Sequence, residues 1–145
     1  MYRGIRCMIP NERGNYLYKL LNGVDMEGYY WSIEDSEVYV GVDEELFTQT
    51  QYTGDEFRRA ISEGVYYVIH ARIQGSIFDD YATTIESYDD FCAGECQIYV
   101  VIIDCIFVDI YVKSQMIAEI IRQNAIKYGF ADLAFITEQN DRNLQ

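Results

Sequence analysis

Apolar and polar positions change period several times along the chain, and each change marks an element. Ile5, Cys7 and Ile9 alternate with other residues, which predicts a strand over residues 3–9 that Pro10 ends. Asn11 is placed as a helix N-cap, because Tyr16, Leu17, Leu20 and Leu21 then recur at helical spacing and Asn22-Gly23 supplies a stop. From Tyr29 to Val42 the period becomes two. Tyr29, Trp31 and Ile33 share one face, Val38, Val40 and Val42 share another, and Asp35-Ser36 between them reads as the turn of a hairpin. Residues 43–52 are polar and acidic and predict a loop. Thr53-Gly54-Asp55-Glu56 has the spacing of a capping box, followed by Phe57, Ala60 and Ile61 on one helical face and by Gly64.

Residues 65–73 are β-branched and aromatic and predict a strand. The stretch 74–86 has no clear period, and Ser87 can cap a short helical turn through Phe91. Ile98–Ile103 is a continuous apolar run, the pattern of a strand covered on both faces. Asp104-Cys105 turns it into a second strand, Ile106–Val112, with Val108, Ile110 and Val112 toward the core and Phe107, Asp109, Tyr111 and Lys113 on the other side. Ser114 caps the clearest helix, with Ile117, Ile120, Ile121, Asn124 and Tyr128 on its inner stripe and Gly129 at its end. A last strand near 132–137 precedes a polar tail. Hairpins interspersed with helices predict an α+β domain spanning 1–145, with a mixed, largely antiparallel sheet of about six or seven strands and three or four helices packed on it.

Charge adds the next constraint. The chain of 145 residues carries 24 acids against 11 bases, a formal net charge of -13. No Lys or Arg occurs between Lys19 and Arg58 or between Arg72 and Lys113, and these two intervals hold eighteen of the acids. Such a surface repels phosphate backbones and attracts basic partners, which excludes a basic nucleic-acid reader. No apolar run approaches the roughly 20 residues of a membrane span, and the N-terminus has no signal-peptide pattern; the expected address is the cytoplasm.

Candidate chemistry is sparse. There is no P-loop, no G-x-G-x-x-G, no G-x-S-x-G and no H-E-x-x-H, so no catalytic residue is nominated. His70, the one histidine, has no base or nucleophile beside it in sequence and reads as structural. Cys7, Cys92, Cys96 and Cys105 lack a zinc spacing and read as structural thiols; no metal or cofactor is expected. Asp104, Asp109 and Lys113 have the residue types of a metal nuclease but the wrong spacing. The acidic doublets Asp79-Asp80 and Asp89-Asp90 have no EF-hand spacing and read as solvated loop. What stands out is tyrosine, 14 in all. Tyr29, Tyr30, Tyr39, Tyr52, Tyr66, Tyr67, Tyr81 and Tyr88 lie in or beside the acid-rich stretches, and aromatics on a surface mark interfaces. The expected partner-binding residues are therefore Asp43, Glu44, Glu45, Tyr52, Asp79, Asp80, Tyr81, Tyr88, Asp89 and Asp90.

Arg3-Gly4-Ile5, Ile9-Pro10-Asn11-Glu12-x-Gly14, Tyr16-Leu17, Tyr30-Trp31, Tyr88-x-x-Phe91, Ile110-Tyr111-x-Lys113, Asn124-Ala125 and Ile136-Thr137-x-x-Asn140-Asp141 occur in this order. Together they resemble an uncharacterised family of small proteins from Gram-positive bacteria, a domain of unknown function. The resemblance spans nearly the whole chain and implies a bacterial or phage source, a single domain and a cytosolic address. It carries no functional residue. The expected function is that of a non-enzymatic acidic protein docking a Tyr/Asp/Glu-rich face on a basic protein partner, as an inhibitor or immunity-type factor. The alternatives are a nucleic-acid mimic seated in a nuclease channel, and an enzyme or small-ligand binder whose site is assembled from distant residues.

Overall fold

A computed structural model describes residues 2–145. The strands are β1 (Gly4–Met8), β2 (Tyr30–Gly41), β3 (Glu44–Glu45), β4 (Gln51–Tyr52), β5 (Tyr67–Ser76), β6 (Cys96–Ile103), β7 (Phe107–Val112) and β8 (Ala131–Ile136). The helices are α1 (Tyr16–Leu21), α2 (Gly54–Ser62), α3 (Tyr88–Ala93) and α4 (Gln115–Lys127). All eight strands join one sheet in the order β3-β2-β5-β6-β7-β1-β8, with β4 also pairing β2. Every pairing is antiparallel. This is an α+β fold, with the expected mixed sheet resolved as fully antiparallel.

The first helix starts later than expected. Asn15 rather than Asn11 precedes it, because Gly14 is held in a β-bridge with Tyr66, its N–H donating to the Tyr66 carbonyl at 2.9 Å. The capping boxes of α2 and α3 both form, Thr53 with Glu56 and Ser87 with Asp90. Ser114 caps α4 by accepting from the Ile117 N–H, and α4 buries Ala118, Ile121 and Ala125; Ile117, Ile120 and Tyr128 border that stripe.

The two sides of the sheet are covered differently. Helices α1, α2 and α4 pack on one face over the main core, where Trp31 stacks on Phe57 (centroids 4.3 Å apart). Gly75 lies opposite Trp31 in register; a Cβ there would sit 2.9 Å from the indole, so the strand needs glycine where the ring lies on it. On the other face, α3 and the C-terminal tail cover β6, β7 and β1 around Phe91, Tyr99, Val101, Tyr111 and Leu144. The central strand β6 is thus buried on both sides, as its apolar run predicts. Asp109 and Tyr111 on the second side of β7 are buried too.

The expected hairpin over 29–42 is a single strand. Register with β5 runs Ile33↔Ile73 and then Asp35↔Arg72, which makes Glu34 an extra residue in β2; it then runs Glu37↔His70 and Val38↔Val68, which makes Ile69 an extra residue in β5. A bulge inserts one residue and reverses the parity of everything after it. That reversal puts Trp31, Ile33 and Val38 on one face without a turn, and Asp35-Ser36 continues in the ladder.

Candidate functional site

The nominated acidic and aromatic residues fall in two groups. Strands β2 and β5 are antiparallel, with Tyr39 opposite Tyr67 at one end and Tyr30 opposite Ser76 at the other. Nine residues at about 3.3 Å each separate these ends by roughly 30 Å. Asp43, Glu44 and Glu45 are exposed at the first end, around the tight turn into β3, with Asp43 in the left-handed region (φ 56°). The loop after β5 and helix α3, which carry Asp79, Asp80, Tyr81, Tyr88, Asp89 and Asp90, follow from the second end. Tyr52 joins neither group. It is buried in the main core against Phe47, and its hydroxyl accepts from the Thr48 and Gln49 N–H groups.

Within the second group the side chains have different duties. Asp90 accepts from the Glu86 and Ser87 N–H groups as the reciprocal half of its capping box, which holds its carboxyl below the usual range. Tyr88 lies half-buried under the Arg3 guanidinium, 4.1 Å from ring centroid to Cζ. Tyr81 accepts from the Glu95 N–H at 2.8 Å. Asp79, Asp80 and Asp89 are exposed to solvent. Beside them stand two apolar residues the sequence did not single out, Ile77 at 57% exposure and Phe78 at 49%. Phe78 lies 6.5 Å from the Tyr81 ring, and exposed Tyr30 ends β2 opposite Ser76, the residue before Ile77. The result is a projecting apolar knob with an acidic rim.

A second feature comes from the bulges. On the face of β2 and β5 away from α1, α2 and α4, Asp35, Glu37, His70 and Arg72 meet in cross-strand pairs. The His70 imidazole lies between two carboxylates, Nε2 3.3 Å from Asp35 Oδ2 and Nδ1 3.8 Å from Glu37 Oε1. The first distance is short enough for an ion pair, yet Nε2 is inaccessible and has no aligned hydrogen-bond partner. Extra residue Glu34 accepts from Tyr99 Oη (2.8 Å) and from Gln74 Nε2 (3.1 Å), and Arg72 Nη1 reaches Tyr99 Oη at 3.4 Å. The hollow between these groups and the β6–β7 turn measures about 290 Å³ and is open on one side; Asp35, Ile69, His70, Arg72, Ile102, Ile103 and Asp104 line it. Sequence spacing could not find this site, because reading Asp35-Ser36 as a turn removed those residues from the sheet.

The remaining candidates are structural. Asp109 is fully buried and bonded to Arg6, Arg142 and Asn143. Lys113 instead donates to the Gly94 carbonyl, so the nuclease-like trio does not assemble. Among the described residues no group of three or more His, Cys, Asp or Glu side chains is arranged to hold a metal ion. All four cysteines are free. No described helix is long and apolar enough to cross a membrane.

An eight-stranded antiparallel sheet with three helices on one face and α3 on the other, and an acidic knob and an open hollow away from the first three, define an α+β protein. The chain belongs to the DUF2691 family, described as a protein of unknown function, whose model matches residues 2–145. It is 31% identical over 146 residues to "Uncharacterized protein YncE" of Bacillus subtilis (strain 168), covering 97% of this chain and 95% of that protein. No solved structure gives a significant match.

Proposed function

We propose that the protein is a non-enzymatic interaction protein that docks its acidic knob on a basic surface of a protein partner. One observation carries this reading: Ile77 and Phe78 stand exposed side by side in a loop whose next residues are Asp79 and Asp80. Apolar and aromatic anchors ringed by charge are how interfaces concentrate binding energy, with the rim setting partner choice and encounter rate. An exposed apolar patch rimmed by polar residues is a mark of a protein interaction site. The overall charge of -13 favours a cationic partner. The acids at the far end of β2 lie too distant to share one small contact and belong to the general field.

The test uses the immobilised full chain in a Bacillus subtilis lysate. The reading expects a protein captured by the native chain and lost with Phe78→Ala or with Asp79→Asn/Asp80→Asn. Capture should persist with Asp43→Asn/Glu44→Gln/Glu45→Gln, and should fade in about 1 M salt, where the Debye length is about 3 Å. Capture that ignores the knob substitutions overturns the reading.

A further inference from the structure

We propose that the hollow on the open face of β2 and β5 is a binding site for a small zwitterion, an α-amino acid with an aliphatic side chain. The argument starts from two charges that have no partner. Arg72 carries five N–H donors, and among the described residues it forms no ion pair and one long hydrogen bond, to Tyr99 Oη at 3.4 Å. Its register partner Asp35 turns away to His70. Asp104, in the left-handed β6–β7 turn (φ 53°), is exposed and likewise forms no ion pair or side-chain hydrogen bond among the described residues. Both residues line one hollow, and Ile69 and Ile103 line it with them; Ile102 is also at its border but is fully buried in the main core on the other face.

A cation and an anion held apart around an apolar lining complement a molecule that carries both signs and a short hydrocarbon. Its carboxylate would take the forked donors of Arg72, its ammonium the Asp104 carboxylate, and its side chain Ile69 and Ile103. Charge decides against the simpler ligands. A plain anion would meet Asp35, Asp104 and nearby Glu34 as well as Arg72, and a plain amine would leave the Arg72 donors unused. A neutral zwitterion satisfies both and leaves the net charge of the site unchanged. The volume of about 290 Å³ leaves room for such a molecule. The second bulge builds the hollow: Ile69 is the extra residue, and its carbonyl accepts from the Cys105 N–H at 2.9 Å, which ties the β6–β7 turn to β5.

The experiment is a titration of the full-length protein with L-leucine, followed by amide chemical shifts. Saturable shifts at Ile69, His70, Arg72, Ile103 and Asp104 are expected, with a dissociation constant of about 1 mM, as suits a ligand of this size in an open site. L-Leucinamide lacks the carboxylate and N-acetyl-L-leucine lacks the ammonium; each should bind at least about tenfold more weakly, the loss expected for one charged contact. Arg72→Gln and Asp104→Asn should each weaken leucine to the same degree, and asparagine tolerates the left-handed turn. The proposal is overturned if no shift saturates, if leucinamide binds as well as leucine, which would mark a mere attraction of cations to an acidic surface, or if both folded variants bind leucine as the native protein does.

Discussion

Cysteine shows how much a single residue's setting decides. Cys7 and Cys96 lie in β1 and β6, and burial pushes both thiols up to about 12, with the Asp109 charge adding to the effect at Cys7. The thiolate is the reactive species, so both are inert while the sheet holds. Cys92 is exposed on α3. Brief treatment of the native protein with iodoacetamide at pH 8 is expected to label Cys92 first, with Cys7 and Cys96 labelled only after urea is added. Peptide mass spectrometry reads the order, and early labelling of Cys7 would show that β1 opens on its own. Tyrosine divides in the same way. Tyr66, Tyr99 and Tyr111 are buried, and burial raises all three phenols. Each is hydrogen-bonded, Tyr66 to the Ile61 carbonyl, Tyr99 to Glu34 and Tyr111 to Asp141. A good part of the tyrosine content therefore builds the core and its polar seams, and only Tyr30 among the knob's neighbours is an exposed ring.

At the scale of elements, the two capping boxes make stability depend on acid. Glu56 and Asp90 accept from backbone N–H groups at the first turns of α2 and α3, and both folded carboxyls titrate lower than usual, chiefly for that reason. A lowered folded value means the stabilisation is complete above the unfolded carboxylate range, near pH 4, and is lost as pH falls through the folded value. Urea melts between pH 5 and pH 3 should show a smaller acid loss for Glu56→Gln and Asp90→Asn than for the native chain. Ser87→Ala removes the other half of the α3 box and should cost about 1 kcal/mol at neutral pH. Both boxes were legible in the sequence because a cap is a local arrangement of four residues. Strands β1, β5, β6, β7 and β8 were legible for the same reason. What could not be read was register. Glu34 and Ile69 bulge because two strands distant in sequence must pair, and nothing within residues 29–42 alone distinguishes a parity change made by a bulge from one made by a turn. The hollow beside His70 was lost with that register. The knob was half legible: Asp79, Asp80 and Tyr81 drew attention, while Ile77 and Phe78 gained meaning only once the structure left them uncovered.

For the whole molecule, the uneven charge has an internal purpose. Two of the four bases in the first 19 residues are turned inward: Arg3, just before β1, and Arg6 of β1 reach the fully buried carboxylates of Asp141 and Asp109, at 2.9 Å and 2.7 Å. Asp141 also accepts from Tyr111 Oη and from the Leu144 N–H, and Asp109 from Arg142 and Asn143, so these two acids tie the C-terminal tail to β1 and β7. The tail covers the second core, and Leu144 is buried in it. A buried ion pair adds little over a well-packed apolar pair, but breaking one leaves an uncompensated charge and costs about 3–5 kcal/mol. Asp109→Ala strands Arg6 in that position and should lower stability by about that much. A chain that carries Asp109→Ala and also lacks residues 140–145 should lose, in total, well below the sum of the two single losses, since the tail's contacts run through the same carboxylate. The joint substitution Arg6→Met/Asp109→Leu removes the charge with its partner and should recover part of the loss. Urea unfolding of the four variants measures these differences; full additivity of the first pair would show that the tail is held by Leu144 packing and Asp141 alone, and that the buried Asp109 cluster serves β1 and β7 without it.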